Sequence, residues 1–241
     1  MAGKTYTAIV LRYANYKESD RILTLFTREC GLLSASAHGC RKPKSPLLGG
    51  SEPFVYGEFL LFERAGRFTV DSCEVLESFY PIREDIARFA GGMSMLKLVE
   101  KSGAAERSDR LFSMLYYALS YLCYGDVDPA DITICFIIRA LSVLGMQPAV
   151  TCCARCGKDL RSKKTFFFSP EQGGALCEDC AAGACAITPL ALEALRRMLL
   201  LDDENMKKVR LPEAIRSELK KTIRSLASFL MEYDFKSLDQ I

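Results

Sequence analysis

The segment AIVLRYANYKESDRILTLFTRECGLLSASA, residues 8–37, contains three short apolar runs that polar and turn residues separate. The runs are Ala8–Leu11, Arg21–Phe26 and Gly31–Ala37. Each run has the length of a β-strand rather than of a helix, and residues 57–62 and 67–70 add a β-hairpin to the series. Five short strands favour a small barrel of the OB type, because closure removes exposed strand edges, although the count alone does not exclude an SH3-like barrel.

Beyond Pro81 the apolar residues recur at three- and four-residue steps, which is the period of an amphipathic helix. We expect helices over residues 82–101, 108–124, 128–144, 188–201 and 212–235. Asp128 and Pro129 have the order of a helix cap followed by proline in the first turn. The sequence therefore predicts an α+β protein, with an OB-fold β-barrel over residues 1–80 and an α-helical domain over residues 81–241.

Cysteine, glycine and charged residues interrupt the helical pattern over about residues 150–187. Two Cys-x-x-Cys pairs lie there, Cys153 with Cys156 and Cys177 with Cys180. Two such turns can direct four thiolates at one point, which suits a tetrahedral Zn²⁺ ion. Four sulfur ligands leave no coordination position for water or substrate, so we predict one structural zinc ion in a module inserted into the helical domain.

The other seven of the eleven cysteines are interpreted as thiols outside the zinc site. Cys152 could replace Cys153 only through a longer turn, and Cys185 would form a looser second arm. The remaining five stand singly among apolar or turn residues, where cysteine packs as a small hydrophobe: Cys30, Cys40, Cys73, Cys123 and Cys135. The sequence shows neither an export signal nor an apolar stretch of membrane-spanning length, and we expect a cytoplasmic protein with reduced thiols.

Positive charge is concentrated in the first fifty residues, which carry eight Lys or Arg against three Asp or Glu. Their formal charge is +5, whereas the rest of the chain carries −3. Arg41, Lys42 and Lys44 lie on the Pro- and Gly-rich segment HGCRKPKSPLLGG, residues 38–50, where cations can follow a phosphate backbone. Five aromatic residues could stack on bases, although Phe26 and Phe54 are more typical of a core: Tyr13, Tyr16, Phe26, Phe54 and Tyr56.

Further charged residues leave alternatives open. A second basic stretch in the helical domain fits a solvated helix face as well as a DNA contact: Lys207, Lys208, Arg210, Arg216, Lys220, Lys221 and Arg224. An enzyme would need a nucleophile, a base or an open metal site. His38 is the only histidine, and Glu18 and Asp20 flank Arg21, with which we expect them to pair. We therefore expect no catalytic residues.

In combination and order, four segments resemble the RecO family of bacterial recombination mediators. They are residues 8–45, the Pro53-Phe54 pair with the apolar strand after it, IIRALSVLGMQPAVTCCARCG at 137–157 with GGALCEDC at 173–180, and FKSLDQI at 235–241. The resemblance implies an OB-fold, a helical domain with a zinc module, and a non-enzymatic role in recombinational DNA repair by the RecF pathway. Some family members lack the cysteines, which supports a structural role for the metal.

The resemblance also implies partners. Proteins of this family bind single- and double-stranded DNA at the nucleoid, anneal complementary strands, contact single-strand-binding protein, and act with RecR to load RecA. Carried over by position, the DNA contacts are Arg12, Arg21, Arg41, Lys42 and Lys44. The family's basic loop often continues with arginine, whereas Pro46-Leu47-Leu48 follows here. The alternative functions are a zinc-containing adaptor and a transcription factor without annealing activity.

Overall fold

The first five strands close into a barrel in the order β1-β2-β3-β5-β4, which confirms the OB-like architecture. They are β1 Lys4–Tyr16, β2 Asp20–Thr27, β3 Gly31–Ala37, β4 Tyr56–Arg64 and β5 Arg67–Glu77. Neighbouring strands run antiparallel except β3 and β5, which pair in parallel and close the barrel. The computed structural model describes residues 3–104, 107–161 and 163–241.

Strand β1 is buried on both of its faces. Ala8 and Val10 lie in the apolar interior of the barrel, whereas Ile9 and Leu11 pack on its outer side with residues of the helices. The pairing with β2 shifts register between Val10 and Arg12, and such a bulge bends a strand and strengthens its twist. This double burial explains why residues 8–11 are continuously apolar instead of alternating with polar residues.

The loop between β3 and β4, residues 38–55, is anchored in the barrel at two points. Cys40 and Leu47 belong to the same apolar interior as the inward residues of the strands. The short 3₁₀ helix Gly49–Ser51 also approaches β5, because a Cβ atom at Gly50 would lie 2.8 Å from the Cys73 Sγ atom. The loop therefore covers one side of the barrel while its charged residues stay in solvent.

Five α-helices follow the barrel: α1 Ile86–Lys101, α2 Asp109–Tyr124, α3 Pro129–Val143, α4 Pro189–Leu200 and α5 Glu213–Leu230. Side chains cap four of them, with Asp128 accepting a hydrogen bond from the Ala130 amide at the start of α3. Two predicted helices are too long. Residues 80–84 form a 3₁₀ turn before the cap of α1, and α5 ends before Glu232, which adopts a φ of +48°.

Three short strands form a sheet between α3 and α4 in the order β7-β6-β8. Their bounds are β6 Phe166–Ser169, β7 Gly174–Leu176 and β8 Cys185–Ile187. Phe166 and Phe168 pack into the same apolar core as the helices. The Arg196 side chain of α4 donates from Nε to the Val150 carbonyl at 2.7 Å, so the module contacts the helical domain through its sheet and through the segment before it. No helix in the described ranges is both long and apolar enough to cross a membrane.

Aromatic side chains join the outer face of the barrel to α2. The ring centroids of Phe26 and Phe112 lie 5.6 Å apart, and those of Tyr56 and Tyr116 lie 4.9 Å apart. Aromatic residues bury large areas and stabilise such interfaces strongly. The outer face of the barrel and the helices share one apolar core. The predicted domain boundary between residues 80 and 81 therefore stays a proposal.

We predict that Phe26→Ala lowers the free energy of unfolding by about 3–5 kcal/mol, because it leaves a cavity between β2 and α2. Urea denaturation followed by circular dichroism measures this loss. Phe229→Ala is the matched control, since the Phe229 ring is about half exposed, and it should change the stability by less than about 1 kcal/mol. Equal losses for the two variants would contradict the proposed role of the aromatic interface.

Candidate metal centre and nucleic-acid interface

Cys153, Cys156, Cys177 and Cys180 form a compact cluster that can hold a metal ion. Their Sγ atoms all lie within 4.8 Å of one another, and the Sγ atoms of Cys156 and Cys177 are 3.7 Å apart. Thiolates about 2.3 Å from a tetrahedral ion such as Zn²⁺ are separated by about 3.8 Å from each other. The four residues predicted from the sequence therefore fit such an ion in number, chemistry and spacing.

Short backbone turns hold the two halves of the cluster. The Gly157 amide donates to the Cys153 carbonyl at 2.9 Å, and Gly157 has the positive φ of +72° that this turn requires. On the second turn, the Cys180 amide donates to the Cys177 carbonyl at 3.0 Å. The Ala154 amide donates to a carbonyl of β7 at 2.8 Å. The small sheet therefore fixes the first Cys-x-x-Cys turn next to the second.

The four thiols differ in how readily they ionise. Burial opposes ionisation of Cys153, but hydrogen bonds from the backbone amides of Cys177, Cys156 and Arg155 outweigh it and lower the pKa of Cys153 to about 6. Burial, together with hydrogen bonds from Cys180 to the neighbouring sulfurs, raises the pKa of Cys180 to about 12. The first thiolate of the cluster therefore forms easily, whereas a second thiolate beside it is disfavoured. A divalent cation would stabilise all four thiolates and lower the pKa values of the remaining thiols.

Cys152 and Cys185 lie outside this cluster. Cys152 forms an isolated backbone bridge with Asp159, and Cys185 pairs with Phe168 across β8 and β6. They are not among the four cysteines whose Sγ atoms lie together, and their interpretation as thiols without a metal stays a prediction.

Asp20 organises the predicted nucleic-acid loop, which we call the basic loop and define as residues 38–45. Its carboxylate accepts a hydrogen bond from the Gly39 amide at 2.8 Å and lies 2.9 Å from Nδ1 of His38. The Gly39 hydrogen bond is the largest cause, and His38 the next, of a pKa of Asp20 below its usual value. Because the pKa is lowered, the Asp20 carboxylate is ionised and binds the loop fully above about pH 4. This stabilisation is lost only as the pH falls through the lowered pKa.

The basic loop presents the three predicted cations Arg41, Lys42 and Lys44 to solvent. The Arg41 amide donates to the Ser19 carbonyl at 3.0 Å, and its Nη1 atom donates to the Glu18 carbonyl at 3.1 Å. The backbone of the loop is therefore joined to the turn between β1 and β2. Among the residues that the structure describes, none of the three cations forms an ion pair.

Arg21 lies inside the barrel wall, away from the exposed position that a phosphate contact needs. Its side chain is 10% exposed, and its Nη1 atom donates to the Ser51 hydroxyl at 2.8 Å and to Glu52 at 2.7 Å. Its guanidinium also stacks 3.6 Å from the centroid of the Tyr13 ring. The expected pairing of Arg21 with Glu18 and Asp20 is wrong, because Glu52 from the following loop is its partner and Asp20 binds the basic loop.

Arg12 contacts the helical domain and forms an ion pair with α1 instead of with residues of the basic loop. Its side chain is 49% exposed, and its Nε atom forms an ion pair of 2.6 Å with Glu100 of α1. Sequence reasoning missed Glu100, because the two residues are 88 positions apart and only the packing of α1 on the barrel brings them together.

The aromatic candidates divide into packed and accessible rings. Phe26 and Phe54 are fully buried, as expected for core residues, and Tyr56 packs against α2. Tyr16 is 47% exposed at the end of β1, and the Lys17 ammonium lies 5.4 Å from its ring centroid. Of the five candidates, Tyr16 is therefore the most accessible to a base.

Internal carboxylates or carbonyls bind four cations of the second basic stretch. These four are Arg210, Arg216, Lys220 and Arg224. The Nε atom of Arg216 forms an ion pair of 2.7 Å with the fully buried Asp131, so this guanidinium stabilises the helical domain. Four members of the stretch are exposed to solvent: Lys207, Lys208, Arg210 and Lys221.

Two family models cover almost the whole chain. Residues 1–79 match the model described as "Recombination protein O N terminal", and residues 83–239 match "Recombination protein O C terminal". The chain belongs to the RecO family. The resemblance found in the sequence is thereby confirmed, and the two RecO models meet where the barrel ends and the helices begin.

Curated RecO proteins from other bacteria are similar to this chain over at least 90% of its length. The DNA repair protein RecO of Acetivibrio thermocellus is 33% identical over 98% of this chain and 94% of its own length. The RecO proteins of Heliobacterium modesticaldum and Alkaliphilus metalliredigens are 36% and 30% identical, over 90% and 95% of this chain and 82% and 95% of their own lengths. The chain is therefore a RecO family DNA repair protein.

We predict that Asp20→Ala loosens the basic loop of this RecO protein without unfolding the barrel. The Gly39 amide loses its charged acceptor, and its hydrogen exchange should accelerate about tenfold or more. Mass spectrometry or NMR at neutral pH measures this rate. Asp71→Ala removes the same charge from an exposed position on β5 and is the control; a Gly39 amide equally protected in both variants would count against the tether.

Proposed function

We propose that this RecO protein binds single- and double-stranded DNA through the basic loop and anneals complementary strands. The observation that carries the proposal is the loop itself: Arg41, Lys42 and Lys44 are exposed, and the backbone that bears them is tied to the β1–β2 turn. Ordered cations can neutralise two phosphate backbones at once and leave the bases free to pair. We propose Arg41, Lys42 and Lys44 as the main DNA contacts and Arg12 as an additional one.

The proposed role continues with protein partners. We propose that the protein acts on chromosomal DNA in the cytoplasm, on strands coated with single-strand-binding protein, and that it acts with RecR in the loading of RecA. Membership of the RecO family supports these partners. We further propose that it acts without covalent chemistry, because the single histidine is bound to Asp20 and the four-cysteine cluster would leave a metal no open position.

We predict that Arg41/Lys42/Lys44→Ala slows strand annealing at least tenfold and lowers the slope of log affinity for single-stranded DNA against log salt by about 2, since each phosphate contact contributes about 0.7. Annealing of complementary oligonucleotides coated with single-strand-binding protein measures the rate, and fluorescence anisotropy with uncoated oligonucleotides in a salt series measures the slope. Lys163/Lys164/Arg67→Ala removes the same charge from exposed positions elsewhere and should anneal like the wild type.

The outcomes of this experiment separate the functions. If the wild type binds DNA and both triple variants anneal equally well, the basic loop is not the contact surface. If the wild type binds no DNA at all, the adaptor function replaces the mediator function. If it binds one duplex sequence much more tightly than others and does not anneal, it is a transcription factor.

We propose that the metal at the four-cysteine cluster is one structural Zn²⁺ ion. The support is the all-thiol donor set and the 3.7 Å separation of the Cys156 and Cys177 sulfurs, which suit tetrahedral zinc. The ion would stabilise a module whose own sheet consists of three short strands of three or four residues.

We predict about one zinc ion per chain in the purified protein, and its loss in Cys156→Ser/Cys177→Ser, because two of four ligands disappear. Metal analysis by mass spectrometry and thermal unfolding measure the loss and the expected destabilisation of the helical domain. Cys152→Ser/Cys185→Ser is the matched control and should keep its metal. A stable wild-type protein without metal would contradict the prediction.

A further inference from the structure

A basic and aromatic cluster lies beside Arg12, where α1 packs on the barrel. One carboxylate, that of Glu100, bridges two cations: its Oε1 atom is 2.6 Å from Nε of Arg12, and its Oε2 atom is 2.8 Å from Nζ of Lys97. Lys101 follows one helical turn after Lys97, so both lysines lie on the same side of α1. The cluster therefore joins a residue of the barrel to a basic face of the helical domain.

The ring of Tyr233 lies next to these two lysines. The Nζ atoms of Lys97 and Lys101 are 4.7 Å and 5.4 Å from its centroid, within the range of a cation–π contact. The Tyr233 ring packs edge-on against the fully buried Phe235, with centroids 5.1 Å apart, and its amide donates to the Ser228 carbonyl at 3.2 Å. An aromatic ring that is 37% exposed is thus held in a defined position.

The charge around the ring is positive on the side of α1. Arg12 and Lys97 share the carboxylate of Glu100, and Lys101 adds a third cation beside the ring. Next to Tyr233 along the chain are Glu232 and Asp234. Two cations of the C-terminal part bind the Asp234 carboxylate, at N–O distances of 2.8 and 3.8 Å: Arg224 and Lys236.

We propose that Tyr233, Lys97 and Lys101 form a binding site for one segment of single-stranded DNA. A base stacks on the exposed ring of Tyr233, and the two ammonium groups leave the ring for the phosphates on either side of that base. Arg12 adjoins the site through Glu100, so the DNA would continue from the exposed end of β1 onto α1 and the C-terminal segment. This site rests on the proposed DNA binding of the protein and extends it to the helical domain.

The chemistry of the site favours single strands over duplexes. Stacking on an aromatic ring requires an unpaired base, and every base offers a π-face, so the contact is independent of sequence. A duplex keeps its bases stacked internally and can use only the two lysines. Loss of the Tyr233 ring should therefore affect single strands alone, whereas loss of the lysines should affect both forms.

Fluorescence anisotropy with labelled oligo(dT) and with a duplex of equal length, in a salt series, tests the site. We expect Tyr233→Ala to weaken binding of oligo(dT) about tenfold, with an unchanged salt slope and unchanged duplex affinity. We expect Lys97→Gln/Lys101→Gln to lower the salt slope for oligo(dT) by about 1.4. Tyr233→Phe keeps the ring and should bind like the wild type. Tyr124→Ala removes a ring that is 60% exposed elsewhere and is the control.

Photo-crosslinking gives a readout that does not depend on affinity. An oligonucleotide containing 5-iododeoxyuridine should form an adduct at Tyr233 in the wild-type protein, located by mass spectrometry of the peptides. Wild-type affinity of Tyr233→Ala for oligo(dT), or equal weakening by Tyr124→Ala, would overturn the site while leaving DNA binding by the barrel intact. Absence of any DNA binding by the wild type would overturn both proposals together.

Discussion

The packing of β1 against the helices is the constraint on which the rest of the structure depends. Because Ile9 and Leu11 lie on the outer side of a strand whose inward residues already fill the barrel, the barrel exposes an apolar face unless a second layer covers it. Helix α2 supplies Phe112 and Tyr116 for this purpose, and α1 lies alongside. The barrel and the helical domain therefore share one apolar core, and their packing brings Arg12 of β1 next to Glu100 of α1.

The arginines of this protein differ in whether their charge is satisfied inside the fold or left in solvent. The Arg21 guanidinium donates hydrogen bonds to Ser51 and Glu52 in the loop that follows β3. The Arg216 guanidinium forms an ion pair with the buried Asp131. The Arg41 amide and guanidinium donate to backbone carbonyls of the β1–β2 turn, and the side chains of Arg41, Lys42 and Lys44 remain exposed to solvent. A count of positive residues in the sequence does not show which cations are paired inside the fold and which are exposed. Removing a buried cation leaves its carboxylate unpaired and destabilises the fold, whereas removing an exposed cation does not.

Much of the fold could be predicted because its signals are local. The strands of the barrel are short apolar runs, α3 begins at an Asp-Pro pair, and two Cys-x-x-Cys turns carry their own geometry. The ends of α1 and α5 were less accessible, since a cap at Asp85 and a positive φ at Glu232 decide them. The partners of Arg12, Arg21 and Asp20 could not be predicted, because they come from residues 18 to 88 positions away that meet only after the chain has folded.

Glu100 gives the surface between the barrel and α1 an anion of its own. While it holds Arg12 and Lys97, those cations are already satisfied, and an incoming phosphate has to displace a carboxylate that cannot diffuse away. A single nucleotide competes poorly with the Glu100 carboxylate for these two cations. A polymer that is already bound at another point presents its phosphates at a high effective concentration. In the proposed DNA site, Glu100 would therefore favour long strands over the free nucleotides of the cell.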